Sequence, residues 1–133
     1  MQRFRFYCVG LLASLWLCTA AVAQELPTEL EARTVAAEYL DALGRGDIGK
    51  IKQLLGGQFL ANRRQVLDNP SYSDLLSKRY GTATSTILGT EQASGGQIAV
   101  NAQIELSVDE TLQLRLILAR NADSEIKIIG EGE

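Results

Sequence analysis

Between Ile98 and Leu118 the chain alternates apolar and polar residues almost without a break. Ile98, Val100, Ala102, Ile104, Leu106 and Val108 stand against Ala99, Asn101, Gln103, Glu105 and Ser107. After Asp109-Glu110 the pattern resumes, with Leu112, Leu114, Leu116 and Leu118 against Thr111, Gln113, Arg115 and Ile117. A period of two is the signature of a strand with one buried face. Two such strands joined at an acidic turn form an antiparallel ribbon whose apolar side must be covered by something else in the chain. The Thr-rich run Thr82–Glu91, with Ile87 and Leu88, reads as a strand before it, separated by the turn residues Gly95-Gly96. Residues Glu125–Ile129 read as a short last strand after the turn Asn121 to Ser124.

The cover comes from upstream. Thr28-Glu29-Leu30-Glu31 is a capping box, and Ala32, Val35, Ala36, Tyr39, Leu40 and Leu43 follow at spacings of three and four. This predicts a helix over Pro27–Leu43, ended by Gly44. Asp47 is placed to cap a second helix with Ile48, Ile51, Leu54 and Leu55 as its apolar stripe, closed by Gly56-Gly57. Phe59, Leu60, Val66 and Leu67 predict a third helix to about Asp68, broken at Asn69-Pro70. Leu75, Leu76 and Tyr80 predict a fourth, stopped by Gly81. Helices first and an antiparallel meander afterwards define an α+β domain.

Of the 133 residues, the first 23 read as an export signal. Arg3 and Arg5 open it, an apolar run follows from Tyr7 to Leu17, and Ala21-Val22-Ala23 is an A-x-A cleavage site. The apolar run is shorter than the roughly 20 residues a membrane span needs. Residues 24–133 then form the one domain. Cys8, Cys18, Trp16 and Met1 all belong to the signal, and the chain contains no His. The exported part therefore has no disulfide, no thiolate or imidazole ligand and no His- or Cys-based nucleophile. Without Arg3 and Arg5 it carries 11 basic against 16 acidic residues, a balance that argues against nucleic acid.

Gly44-Arg45-Gly46-Asp47-Ile48-Gly49 fits the spacing of a dinucleotide-binding loop, but that loop follows a strand, and here a helix precedes it. Asp109-Glu110 and Asp123-Ser124-Glu125 fall at turns without calcium-loop spacing. Arg63-Arg64 and Lys78-Arg79 could form a shared basic patch for an anionic ligand, but solvated helix faces explain them as well and are the reading favoured. No cofactor or metal is expected. Tyr39 stands apart: it lies at the centre of the apolar arc, so its hydroxyl is carried inward and needs a partner, a backbone carbonyl or a water.

Tyr39-Leu40-Asp41-Ala42-Leu43-Gly44-Arg45-Gly46-Asp47-Ile48, followed by Ile51 and Leu54-Leu55, resembles the opening of the nuclear transport factor 2-like superfamily. Ketosteroid isomerases and polyketide cyclases belong to that superfamily. The resemblance implies helices on the concave face of a curved, mostly antiparallel four-stranded sheet, a cone-shaped, cystatin-like fold with a pocket between the layers, and it implies homodimers. Tyr39, Leu43, Phe59, Tyr80, Ile104, Leu114 and Leu116 are the residues expected to line such a pocket. In ketosteroid isomerases a tyrosine at the place of Tyr39 donates to the developing oxyanion, with a carboxylate base and a protonated acid beside it. Here the inward strand positions Ile98 to Leu118 include no acid, and the segment after the second helix reads as helix instead of a base-bearing strand.

The resulting expectation is a small exported, non-catalytic domain that binds an apolar ligand or a partner protein of the cell envelope, with no membrane span once the signal is removed. The alternative is an isomerase- or cyclase-like enzyme with Tyr39 as oxyanion donor. Cleavage at Ala23 makes Gln24 the first residue of the exported protein. Intact-mass measurement checks this, and Met1 retained in exported material would contradict it.

Overall fold

The computed structural model describes residues 26–132. The export signal expected over residues 1–23 lies outside them. Four helices precede a four-stranded sheet: α1 (Glu29–Arg45), α2 (Ile48–Leu54), α3 (Gly57–Leu67) and α4 (Tyr72–Tyr80), then β1 (Thr84–Ala93), β2 (Gln97–Glu105), β3 (Thr111–Arg120) and β4 (Ile126–Gly132). The strands lie in the order β1-β2-β3-β4, each antiparallel to the next, in a curved sheet that does not close. The chain is thus an α+β domain with its helices N-terminal to the sheet.

The capping box forms as expected. The Thr28 backbone N–H donates to Glu31 Oε2 at 2.9 Å, and the Glu31 N–H donates to the Thr28 hydroxyl at 3.2 Å. The same Glu31 oxygen accepts from Arg120 at 2.8 Å, so the cap also ties the start of α1 to the end of β3. The Thr28 N–H, with Arg120 behind it, holds the Glu31 carboxyl below its usual range.

The end of α1 differs from expectation by half a turn. Gly44 stays helical, and Gly46 (φ 61°) is the left-handed cap. Packing explains both glycines: a Cβ on Gly44 would stand 3.3 Å from the Tyr80 carbonyl oxygen, and one on Gly46 would run into Ser73 and Ser77 of α4. Asp47 then caps α2, accepting from the Lys50 N–H at 3.1 Å.

In the sheet, Ile98, Val100, Ala102 and Ile104 face the helices, as do Leu114, Leu116 and Leu118, and all are buried. The register pairs Val100 with Leu116 and Ala102 with Leu114, so the apolar residues meet across β2 and β3 on one face. Helix α1 lies over this face, touching β1, β2 and β4. It contributes Ala32, Ala36, Tyr39, Leu40 and Leu43 to the core. The alternation stops sooner than the sequence suggests: β2 ends at Glu105, and Val108 sits fully exposed in the turn.

The two edges of the sheet differ. Each edge strand carries a register shift, β1 between Ile87 and Gly89 and β4 between Ile117 and Leu118 of its partner β3. The outer edge of β4 is covered where Leu55 bridges Ile128 and the Gly56 N–H donates to the Ile128 carbonyl at 2.9 Å.

An aspartate at Ile104, which is 1% exposed, places an unpaired charge in the core. Ile104→Asp is expected to cost about 3 kcal/mol or more, whereas Gln113→Asp on the exposed face stays within about 0.5 kcal/mol. Urea unfolding of the two variants checks the difference. Equal losses would mean the outer face is also buried.

Candidate functional site

The sequence expectation ends the last strand at Ile129 and brings no acid to the inner face. The structure corrects both points. Strand β4 runs on to Gly132, with Leu118 opposite Ile128, Ile117 opposite Gly130 and Leu116 opposite Glu131. Ile129 is the extra residue of a β-bulge, which reverses the inside–outside parity of everything after it. In a regular ladder Glu131 would lie opposite Arg115 on the outer face. With the bulge it lies opposite the fully buried Leu116 and turns toward the helices.

There it meets Tyr39. The phenol donates to Glu131 Oε2 at 3.0 Å, so its partner is a carboxylate and not the backbone carbonyl or water expected. Tyr39 is only 3% exposed. Burial, reinforced by the Glu131 charge and hydrogen bond, pushes its pKa far above the usual tyrosine value. At neutral pH it is a committed donor.

Arg63 of α3 completes the cluster, its guanidinium 3.5 Å from the same Glu131 oxygen and 4.6 Å over the Phe59 ring. Arg63 thus belongs to the site and is not simply part of a solvated helix face. Tyr72, at the start of α4, is half-buried nearby, and burial raises its pKa too.

Beside this cluster lies a cavity of about 150 Å³, lined by Tyr39 and Leu43 from α1, Ile51 and Leu55 around α2, Asn62, Arg63, Val66 and Leu67 from α3, and Tyr72. Its floor is apolar, since Ile51, Leu55 and Leu67 are buried. Its mouth is marked by Val66, which is 49% exposed, and by Arg63. Glu131 does not line it, although both of its partners do.

A second, wider space of about 620 Å³ is an open groove between α1, the end of α4 and β1. Leu43, Tyr80 and Ile104 border it, and Asp41 and Arg45 on its rim pair with each other at 2.8 Å.

The residues expected to line one pocket are therefore divided. Tyr39 and Leu43 meet at the small cavity, Tyr80 and Ile104 lie at the groove, and Phe59 supports Arg63. Leu114 and Leu116 are core residues that border neither space. Asn62, Arg63, Val66, Tyr72 and Glu131 were missed. The only advance signal for Glu131 was the apolar pair Ile128-Ile129, which breaks strict alternation. Among the described residues no group of His, Cys, Asp and Glu is arranged to hold a metal ion, and no helix is long and apolar enough to cross a membrane. The chain matches no protein-family model, no curated protein and no solved structure.

A hydrogen bond to a charged group is worth about 1.5–3 kcal/mol. Tyr39→Phe is accordingly expected to lower stability by about 1–2 kcal/mol at neutral pH in urea unfolding. Because the folded state raises the Tyr39 pKa, its contribution is intact below the unfolded value near 10 and is lost as pH rises above it. Stability should fall above about pH 10, by up to about 1.4 kcal/mol per pH unit for this one group, and more gently in Tyr39→Phe. An equally steep fall in the variant would place the titrating group elsewhere.

Proposed function

We propose that this chain is an exported, non-catalytic binding domain of the cell envelope that takes a small, largely apolar ligand between its helices. One observation carries the reading: the cavity at Tyr39 has an apolar floor, the polar side chains Asn62, Arg63 and Tyr72 in its lining and the exposed Val66 at its edge. Ligand sites combine these features, although most are larger, about 300–1,000 Å³. A space of about 150 Å³ in a protein interior accommodates a single six-membered ring. The ligand class is set accordingly at one ring or a short branched chain, well below the size of a steroid. The resemblance of residues 39–55 to the nuclear transport factor 2-like superfamily supports the same reading, as does the placing of helices over a curved sheet. The signal pattern in residues 1–23 supports export.

A second reading is proton-transfer catalysis with Tyr39 as oxyanion donor, as in ketosteroid isomerases. The 3.0 Å contact between Tyr39 and Glu131 favours it, since it puts a carboxylate beside the phenol. Two features weigh on the other side. The Tyr39 hydroxyl already donates its hydrogen bond to Glu131, and Glu131 does not line the cavity in which a substrate would sit. A base must come within hydrogen-bond reach of the proton it removes. Turnover of a single-ring ketone that disappears in both Tyr39→Phe and Glu131→Gln would decide for the enzyme.

Binding is tested by titrating isotope-labelled protein with toluene, benzyl alcohol and benzoate while following the methyl resonances of Leu43, Ile51, Leu55 and Leu67. At least one compound is expected to shift all four residues. Val66→Trp, a change at the exposed mouth, is expected to abolish the shifts without lowering stability. If none of the three compounds perturbs these methyls, the cavity is not a ligand site and the proposal fails.

A further inference from the structure

We infer that the cavity selects a single-ring organic anion, the carboxylate of the ligand resting on Arg63 and its ring on the floor formed by Ile51, Leu55 and Leu67. The inference rests on the reading of the cavity as a ligand site and goes further by assigning the ligand's charge.

Among the described residues, Arg63 is the one charged residue that borders the cavity. Its hold on Glu131 is loose, at 3.5 Å, while the nearer partner of that carboxylate is Tyr39 at 3.0 Å. The guanidinium carbon lies 4.6 Å from the centre of the Phe59 ring, a cation–π contact. Arginine has five N–H donors in a rigid fork, and one long contact to Glu131 leaves most of them to be used. A planar carboxylate is the ligand group that such a fork fits best.

The neighbouring polar group has the same sense. Asn62 precedes Arg63 on α3 and borders the cavity as well. Its side-chain carbonyl accepts from Gln58 Nε2 at 2.8 Å, so the amide NH₂ is the end left to a ligand. Tyr72 also borders the cavity and adds a phenol hydroxyl, which can donate to a ligand. Donors therefore predominate where the polar part of a ligand would lie. The acidic group that would attract a cation, Glu131, does not border the cavity and is engaged by Tyr39.

The test compares three ligands of one size: benzoate, benzyl alcohol and benzylamine, each titrated into the exported protein by calorimetry and by methyl NMR. Benzoate is expected to bind about ten- to a hundredfold more tightly than benzyl alcohol, the range given by a charge-assisted hydrogen bond. Benzylamine is expected to bind most weakly. Arg63→Met should remove the preference for benzoate over benzyl alcohol. Arg63→Lys keeps the charge without the fork and should restore part of the preference. Added salt should weaken benzoate alone. Benzyl alcohol binding as tightly as benzoate, or an undiminished benzoate affinity in Arg63→Met, overturns the assignment of charge while the cavity remains a ligand site. Failure of all three compounds to bind folded protein overturns the assignment of charge, and if toluene fails to bind as well the cavity is not a ligand site.

Discussion

The hydrogen bond from Tyr39 to Glu131 joins the middle of α1 to the far edge strand of the sheet, and the layout of the inner face follows from it. A phenol buried to 3% exposure has to find an acceptor. The sheet supplies one only because β4 contains one residue more than β3 requires, so that Glu131 and not Gly130 turns inward. The carboxylate in turn draws Arg63 from α3, and Arg63 is steadied by Phe59 one helical turn earlier. Three elements distant in sequence are thus fastened at one polar point inside an otherwise apolar layer. The cavity lies directly beside that point.

A partly buried polar cluster of this kind contributes little net stability compared with an apolar core of the same volume, but leaving its buried phenol unpaired is costly. Here every buried side-chain nitrogen and oxygen among the described residues has a partner. The remaining ion pairs, such as Arg33 with Glu29 and Arg115 with Glu91, lie at the surface and count for little individually. The core between α1 and the strands carries the fold, and the Tyr39 cluster fixes how α1, α3 and β4 sit against one another. Specificity of arrangement, more than strength, is what the cluster supplies.

Much of this was legible in the chain itself. The capping box at Thr28, the apolar face of α1 and the alternation of β2 and β3 all appear where local pattern places them, because each depends on neighbours within a few residues. The α+β order was legible for the same reason. The site was read only in part. Tyr39 and Leu43 follow from helical periodicity, but Glu131 depends on a bulge, and Ile128-Ile129 offers two apolar residues from which parity cannot be assigned. Arg63 resembled any surface arginine, since its role depends on a strand more than sixty positions away. Gly44 and Gly46 are both turn-forming residues, and only the closeness of α4 decides that the second is the cap. Long-range contact, not local propensity, separates what the sequence revealed from what it did not.

The nearest-neighbour order of the strands has a consequence for how the molecule comes together. Each hairpin joins segments adjacent in the chain, so β1, β2 and β3 close short loops at little entropic cost. The fastenings of α1 are of another kind: Tyr39 reaches its partner across 92 positions, and Glu31 reaches Arg120 across 89. Helix α1 also packs on α2 and α4, which are nearer in the chain, so its anchors combine short and long sequence separations. Contacts of such long separation slow folding relative to a purely local design. The first helix is thus held to the far end of the sheet by contacts that span most of the domain, and the last strand carries one of them at Glu131.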